Sequence, residues 1–485
     1  MSGIFNQLRQ DITAGDVLLP GDAGYQESLK RWSDSCEKPA GRRRSADDKH
    51  LQAVVIRATS PEEVSTAIRF ATAHNVPLTA RGGGHSTSGA SSSDGGMVID
   101  LTRMRNVSVD PAGRTVTYEG GCLFGDVDSA LAAHGLATVG GIYNQTGVGG
   151  LVLGGGHGFL TARHGLAIDN LVSVEMVLAD GSIAQVSDTE KPDLFWAVRG
   201  AGAQFGIVTR FTSRAHPQGD VWGGALLFTL DKVPELVAFA NEFHNRCAID
   251  HNYMIAFGCA PPEYTTPAAI TGVFYNGPAA EAEKFFAPLL ALGPIANLTG
   301  MMPYPTANTL FNPRFEGPGR KLMGSCTVLM PLDANSIGEA GRRFLDFTTS
   351  HSDMTKSVLA FEFFPTTAIQ ATPHDATAFA NRGKHYIAVM ALMYDNASHD
   401  AKVRAFKREL FNYITTTCGY HGKRAPGDPA PFYVNLEHES LAPEDAFGDH
   451  VKRLRELKRR YDPENVYYKW NCVIVEPGTS TSGQA

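Results

Sequence analysis

Nine of the nineteen residues in GGIYNQTGVGGLVLGGGHG (140–158) are glycine. Glycine gives up side-chain packing and loses the most backbone entropy on ordering. A stretch this bare must therefore turn sharply or lie against something that leaves no room for side chains. The same composition returns in RGGGHSTSG (81–89) and RGAGAQFG (199–206). Neither the 140–158 stretch nor RGAGAQFG offers the full G-x-G-x-x-G spacing opening a helix after a strand, so the Rossmann fingerprint is absent. In RGGGHSTSG a histidine, His85, closes three glycines. It reads either as the polar exit of a tight turn or as a side chain aimed at a cofactor lying on naked peptide.

At 485 residues, 43% hydrophobic and 19% charged, the chain is that of a globular protein with two domains. The net charge of −7 is spread along the chain, and the one basic run, GRRRSADDKH (41–50), is interrupted by acids, which excludes nucleic acid as a partner. No run approaches the roughly 18 apolar residues of a membrane span. The opening MSGIFNQLRQDITAG lacks the basic and apolar regions of a secretory signal, so a cytoplasmic location is expected. Seven scattered cysteines without a CxxC pair read as reduced thiols, and no metal site is expected.

Ser60-Pro61-Glu62-Glu63 is a helix start: a cap, a first-turn proline and first-turn acids. NVPLTA, GGMVIDLTRM and RTVTYEGG read as strands, and SVEMVLADGSIAQVS as a hairpin turning at Asp180-Gly181. From about residue 214 the glycines thin out. WGGALLFTL and HYIAVMALMY then alternate with helices near 278–290 and 399–418, the pattern of an α+β unit with helices on one face of a sheet. HGKRAPGDPAP (421–431) reads as the linker back, and GTSTSGQA as a disordered tail.

RGGGHSTSG, DGGMVIDLTRM, GGLVLGGGHGFLTARHGLAIDNLVSVEMVLADG, DLFWAVRGAGAQFGIVTRF and YDPENVYY follow one another in an order that resembles the vanillyl-alcohol oxidase superfamily. The similarity is to its berberine-bridge-enzyme-like branch, and within that to the nicotine-oxidase-like subgroup. The resemblance implies an α+β, two-domain fold. A FAD-binding domain would come from both chain ends (1–213 plus 426–485), and an inserted α+β substrate domain (214–425) would carry an antiparallel sheet with helices on one face. It implies FAD attached covalently through His85. Around it, Arg81, Gly82, Gly83, Gly84, Ser86 and Gly89 would form the first cofactor loop. Thr146, Gly147, Gly150, Gly154, Gly155, Gly156, His157 and Gly158 would form the second, with His157 towards the phosphates. Gly206, Ile207, Val208, Asn435 and Asn471 would complete the cofactor site. Relatives with a second covalent link carry a cysteine where this chain has Tyr143, so a single link is expected. Thr146 falls near a position that influences oxygen access in relatives.

Two base positions of the family are changed: Leu436 replaces the final tyrosine of a Tyr-x-Asn-Tyr strand, and Ile387 replaces a glutamate. In LAFEFFP (359–365) alternation puts Ala360, Glu362 and Phe364 on one face, where a desolvated Glu362 would suit a base or a partner for a substrate cation. The other reading is a glutamate salt-bridged or exposed at the strand's edge. Tyr433, on the strand beside the flavin in relatives, either hydrogen-bonds substrate or packs, and the same two readings hold for Tyr143. His385 and His438 are proton-carrier candidates or ordinary histidines, and Arg382 is expected to hold the middle region together. The resemblance thus implies an oxidase that moves a hydride from a small amine, heterocycle or alcohol to flavin and on to O2, giving H2O2, as a monomer or homodimer. The alternatives are a dehydrogenase of a sugar or secondary-metabolite alcohol, a flavin carrier without catalysis, and an NADPH-using reductase.

Overall fold

The computed structural model describes residues 2–37, 54–419, 428–437 and 439–474. The basic run 41–50, most of the segment read as a linker, His438 and the C-terminal tail lie outside the described residues.

The first sheet has four strands in the order Asp16–Leu18, Val54–Arg57, Met97–Asp100, Leu78–Arg81, with the last three parallel. Parallel neighbours need a crossover, and helix Pro61–Ala73 supplies one. It starts where the sequence says: the Ser60 side chain accepts from the Glu63 amide. Its Val64, Ala67, Ile68 and Ala71 are buried against Val54 and Ile56 in one apolar cluster.

The second sheet is antiparallel, in the order Val107–Asp110, Thr115–Glu119, Ile207–Arg214, Leu171–Val177, Ile183–Ser187. Its hairpin turns at Gly181, with φ 77°. The chain's C-terminal part packs into the same core: Tyr433, Phe447, Val451, Leu454 and Val473 share a cluster with Val116, Phe124, Phe195 and Phe211. Asp462, after helix Val451–Tyr461, is fully buried; it takes the Lys458 ammonium at 2.6 Å and the amides of Val466 and Tyr467 at 2.8 and 2.9 Å.

The third sheet has eight antiparallel strands, all within residues 221–302 and 320–394. Helices Val233–Arg246, Ala279–Ala291, Ala334–Thr349 and Asp400–Cys418 cover one face, burying Phe243, Phe286, Phe344 and Leu410 against Tyr253, Phe361 and Phe363. The opposite face carries Met254, Ala256, Ala360 and Glu362 and faces a cavity. Alternation along Val358–Phe363 is thus as the sequence requires.

One expectation changes and one is extended. Tyr433 and Asn435 are not on a strand: Val434–Leu436 is a single 3-10 turn, closed by the Leu436 amide on the Tyr433 carbonyl. Both side chains hydrogen-bond inward, Tyr433 accepting from the Gly156 amide and Asn435 donating to the Leu151 carbonyl. Arg382 braces the middle region through the Ile369 carbonyl and the Thr377 hydroxyl, as expected, but it also reaches beyond that region. Its guanidinium forks onto Asp169, 169 being a residue of the glycine-rich N-terminal part, with bonds of 3.0 and 2.5 Å.

Candidate active site

A cavity of about 730 Å3 lies between the glycine loops and the bare face of the large sheet. One wall is Gly82 to Ser86, Tyr143, Thr146, Gly147, Gly150, Gly154, His157, Gly206 to Val208, Tyr433, Asn435 and Asn471. The other is aliphatic and aromatic, with Leu227, Met254, Ile270, Phe274, Ile387 and Val389, and its polar members from the large sheet are Asn252 and Glu362.

Arg81, Gly89, Gly155, Gly156 and Gly158 stand outside that lining. Arg81 braces the first loop from behind, pairing with Asp100 at 2.9 Å and donating to the Ser28 carbonyl. The loops need glycine partly for each other: a Cβ on Gly83 would sit 2.7 Å from the Gly147 backbone, and one on Gly147 2.4 Å from the Gly83 nitrogen. A Cβ on Gly154 would strike Asn435 at 2.0 Å, and Gly155, at φ 122°, lies under the Phe379 ring. Gly150 differs, since an added Cβ there meets no protein atom within 4 Å.

His85 lines the cavity with its Nε2 buried and unpartnered. Trp32 stacks on the imidazole at 4.0 Å and 14°, and Tyr143 tilts against it at 5.4 Å. Burial, helped by the Lys321 ammonium, pushes its pKa down to about 3, so the ring is neutral at physiological pH. Tyr143 itself donates to Gln145 at 3.1 Å.

Glu362 sits on an interior strand, between Met254 on one side and Ile387 on the other. It is 9% exposed, and among the described residues it makes no ion pair, so it is neither a salt-bridged nor an edge carboxylate. Burial alone raises its pKa to about 7. The Tyr433 hydroxyl accepts from the Gly156 amide at 3.1 Å and from Asn435 Nδ2 at 3.0 Å, leaving its own proton to donate. Asn435 also donates to the Leu151 carbonyl, while Asn471, at φ 47°, accepts from the Leu441 amide at 2.9 Å.

His157 goes to this end of the cavity. Its ring stacks on Phe364 at 4.9 Å and meets Tyr433 edge-on, and burial lowers its pKa to about 4. With Glu362, Tyr433 and His385 it lines a second, small cavity of about 30 Å3, room for about one water. His385, likewise lowered to about 4, bonds Asn381 at 3.0 Å.

Trp32 and Asn252 are among the lining residues that the sequence reading did not single out. Trp32 lies in an N-terminal stretch with no pattern of its own. Asn252 donates to the Phe159 carbonyl at 2.8 Å, which leaves its buried Oδ1 without a partner. Alternation along HNYMIAFGC (251–259) would have put Asn252 on one face with Met254 and Ala256.

Comparison with known proteins agrees with this architecture. A family described as FAD binding domain matches residues 52–187, and one described as berberine and berberine like matches 432–471. A FAD-linked oxidoreductase, pgmH, of Aspergillus terreus is 36% identical over 96% of this chain and 95% of its own. (R)-6-hydroxynicotine oxidase of Paenarthrobacter nicotinovorans is 32% identical over 58% of each chain. The crystal structure of 6-hydroxy-D-nicotine oxidase from Arthrobacter nicotinovorans superposes with a TM-score of 0.79 at 26% identity, covering 95% of this chain and 98% of that one. The cofactor this family implies fits the cavity: a neutral imidazole with an unpartnered nitrogen faces it, and side-chain-free backbone lines the same wall. The chain belongs to the berberine-bridge-enzyme-like FAD-linked oxidoreductases of the vanillyl-alcohol oxidase superfamily.

Proposed function

We propose that this FAD oxidoreductase is an oxidase, which removes a hydride from a C–N or C–O carbon of a small, largely apolar molecule and passes the electrons to O2 as H2O2. Bound flavin supplies the hydride acceptor. His85 would tether it, and Tyr143, in place of the second covalent residue, would lie beside it without a bond. Residues 1–213 with 426–485 would hold the cofactor and 214–425 the substrate, a division supported by the shared core of the two chain ends.

The observation that carries this reading is Glu362, a lone carboxylate on an apolar wall facing the glycine loops. It is the cross-strand neighbour of Ile387, the position that the family resemblance sets against a glutamate base. The carboxylate missing at 387 is thus offered one strand away. Glu362 would take the proton from a substrate N–H or O–H, or hold a substrate cation, and Tyr433 would donate to the substrate heteroatom. The unpartnered Asn252 Oδ1 gives a second acceptor. Apolar walls with so few polar groups suit an amine, a heterocycle or an apolar alcohol, since each unpaired sugar hydroxyl buried there would cost about 1–3 kcal/mol.

The test has two steps. Acid-denatured protein should keep its yellow fluorescence on the polypeptide, and His85→Ala should release it. Oxygen uptake is then followed over a panel of apolar amines, heterocycles, alcohols and sugars. Turnover with dyes but not O2 would make the protein a dehydrogenase. Flavin bleaching by none of the panel, with air-oxidisable flavin, would favour a carrier, the reading that Ile387 and Leu436 suggest.

A further inference from the structure

Away from the cavity, His374, Asp449 and His450 converge. His374 opens a 3-10 turn, His374–Ala376, and Asp449 and His450 end another, Gly448–His450, just before helix Val451–Tyr461. Some 75 residues separate the partners, so no spacing motif announces them. One nitrogen or oxygen from each lies within 4.8 Å of the others. His374 Nε2 is 2.9 Å from Asp449 Oδ1, and His450 Nε2 is 3.9 Å from the same oxygen.

The tautomer of His450 follows from its neighbour. Its Nδ1 stands 3.2 Å from the Ala378 carbonyl, which can only accept, so Nδ1 carries the proton and Nε2 bears a free lone pair. That Nε2 is buried and has no hydrogen-bond partner, on a residue only 7% exposed. His374 Nδ1 is buried and unpartnered as well. A carbonyl that fixes one ring nitrogen and frees the other is the outer-shell arrangement found around metal-bound histidines.

We propose that His374, Asp449 and His450 form a binding site for a zinc-like divalent cation, with water completing the coordination. Two imidazoles and a carboxylate suit such an ion, whereas magnesium and calcium favour all-oxygen sets. At zinc bond lengths, tetrahedral ligand atoms stand about 3.3 Å apart, a spacing bracketed by the two distances to Asp449. The ion would tie two separate segments together. The first, 374–379, is already stitched to helix Pro192–Ala201 by Trp196 Nε1 on the Asp375 carbonyl at 2.7 Å and by the Ala378 amide on the Trp196 carbonyl at 3.1 Å. The second is the 448–450 turn. Phe379, at the end of the first segment, meets Tyr433 edge-on at 6.1 Å, so the junction borders the active site without belonging to it.

Untagged, flavin-loaded protein is treated with a chelator, dialysed and titrated with zinc chloride by calorimetry. The expected result is one saturable site per chain, a thermal midpoint raised by zinc, and loss of both effects in His374→Gln and His450→Asn. His134→Gln, at an exposed helix end, should bind as the parent does. If His450→Asn fails to retain flavin, His374→Gln decides alone, because its ring is a quarter exposed and its loss leaves the core intact. Absence of a stoichiometric site, or equal binding in the His374 variant, overturns the proposal and leaves a His374–Asp449 hydrogen bond with His450 packed beside it.

Discussion

Glu362 has a carboxyl that burial holds near 7 with no partner charge to bring it down. The sign of its effect on catalysis follows. Below about pH 7 the group is protonated and cannot accept a proton, so kcat/KM rises with pH and levels off above that point. Glu362→Gln should remove this limb and cost about 10²–10⁴-fold in kcat/KM, the usual worth of a positioned base, while flavin content stays at the parent level. Glu362→Asp should restore part of the limb. A Gln variant with an unchanged pH profile would show that the proton goes elsewhere, with His157 the nearby neutral acceptor. Asn252 separates binding from chemistry. Its free Oδ1 touches no reacting proton in this scheme, so Asn252→Leu should raise KM for N–H or O–H substrates by roughly tenfold, about one hydrogen bond, with kcat little changed. A fall in kcat at constant KM would count against that role.

At the scale of elements, the two glycine loops stand so close at Gly83 and Gly147 that neither of these residues admits a methyl group. Gly83→Ala drives a Cβ to 2.7 Å from the backbone of Gly147, and backbone cannot swing aside as a side chain can. Overpacking of this kind costs about 1–3 kcal/mol, and differential scanning calorimetry of Gly83→Ala should register it as a lower midpoint. Gly150→Ala is the contrast, because the added methyl meets no protein atom and sits in the helix Val148–Leu153. Its midpoint should hold, and any defect there should appear as reduced flavin loading. Equal destabilisation in both would mean that the loops do not depend on mutual contact. These elements also mark what the sequence could reveal. The period-2 pattern of LAFEFFP was enough to put Glu362 opposite Phe361 and Phe363, since a strand buried on one side by helices tolerates only one register. The glycine runs likewise announced bare backbone. They did not say that loop–loop contact is part of the reason, because that depends on which residues meet across 64 positions. Nor could the motif around Tyr433 reveal a 3-10 turn, whose side chains bond to partners some 280 residues away, Asn435 to the Leu151 carbonyl and Tyr433 to the Gly156 amide.

At the scale of the whole molecule, the Arg382–Asp169 pair joins residues 213 positions apart, across the seam between the large sheet's region and the glycine loops. The side chains are 2% and 9% exposed, and the fork is bidentate. Arg382 further donates to the Ile369 carbonyl and to the Thr377 hydroxyl, while Asp169 accepts from the Leu166 amide. Removing the arginine therefore leaves a carboxylate buried without its counter-charge, a change that costs about 3–5 kcal/mol. The pair Arg105–Asp126 has similar chemistry but is 44% and 31% exposed. Water and salt screen it, and an exposed pair is worth about 0–1 kcal/mol. Arg382→Met should thus unfold at clearly lower denaturant than the parent, and added salt should change the parent's midpoint little. Arg105→Met should stay close to the parent. If the two variants unfold together, the seam is held by packing of Phe379, Trp196 and their neighbours, and the buried fork serves only to fix how the two regions meet.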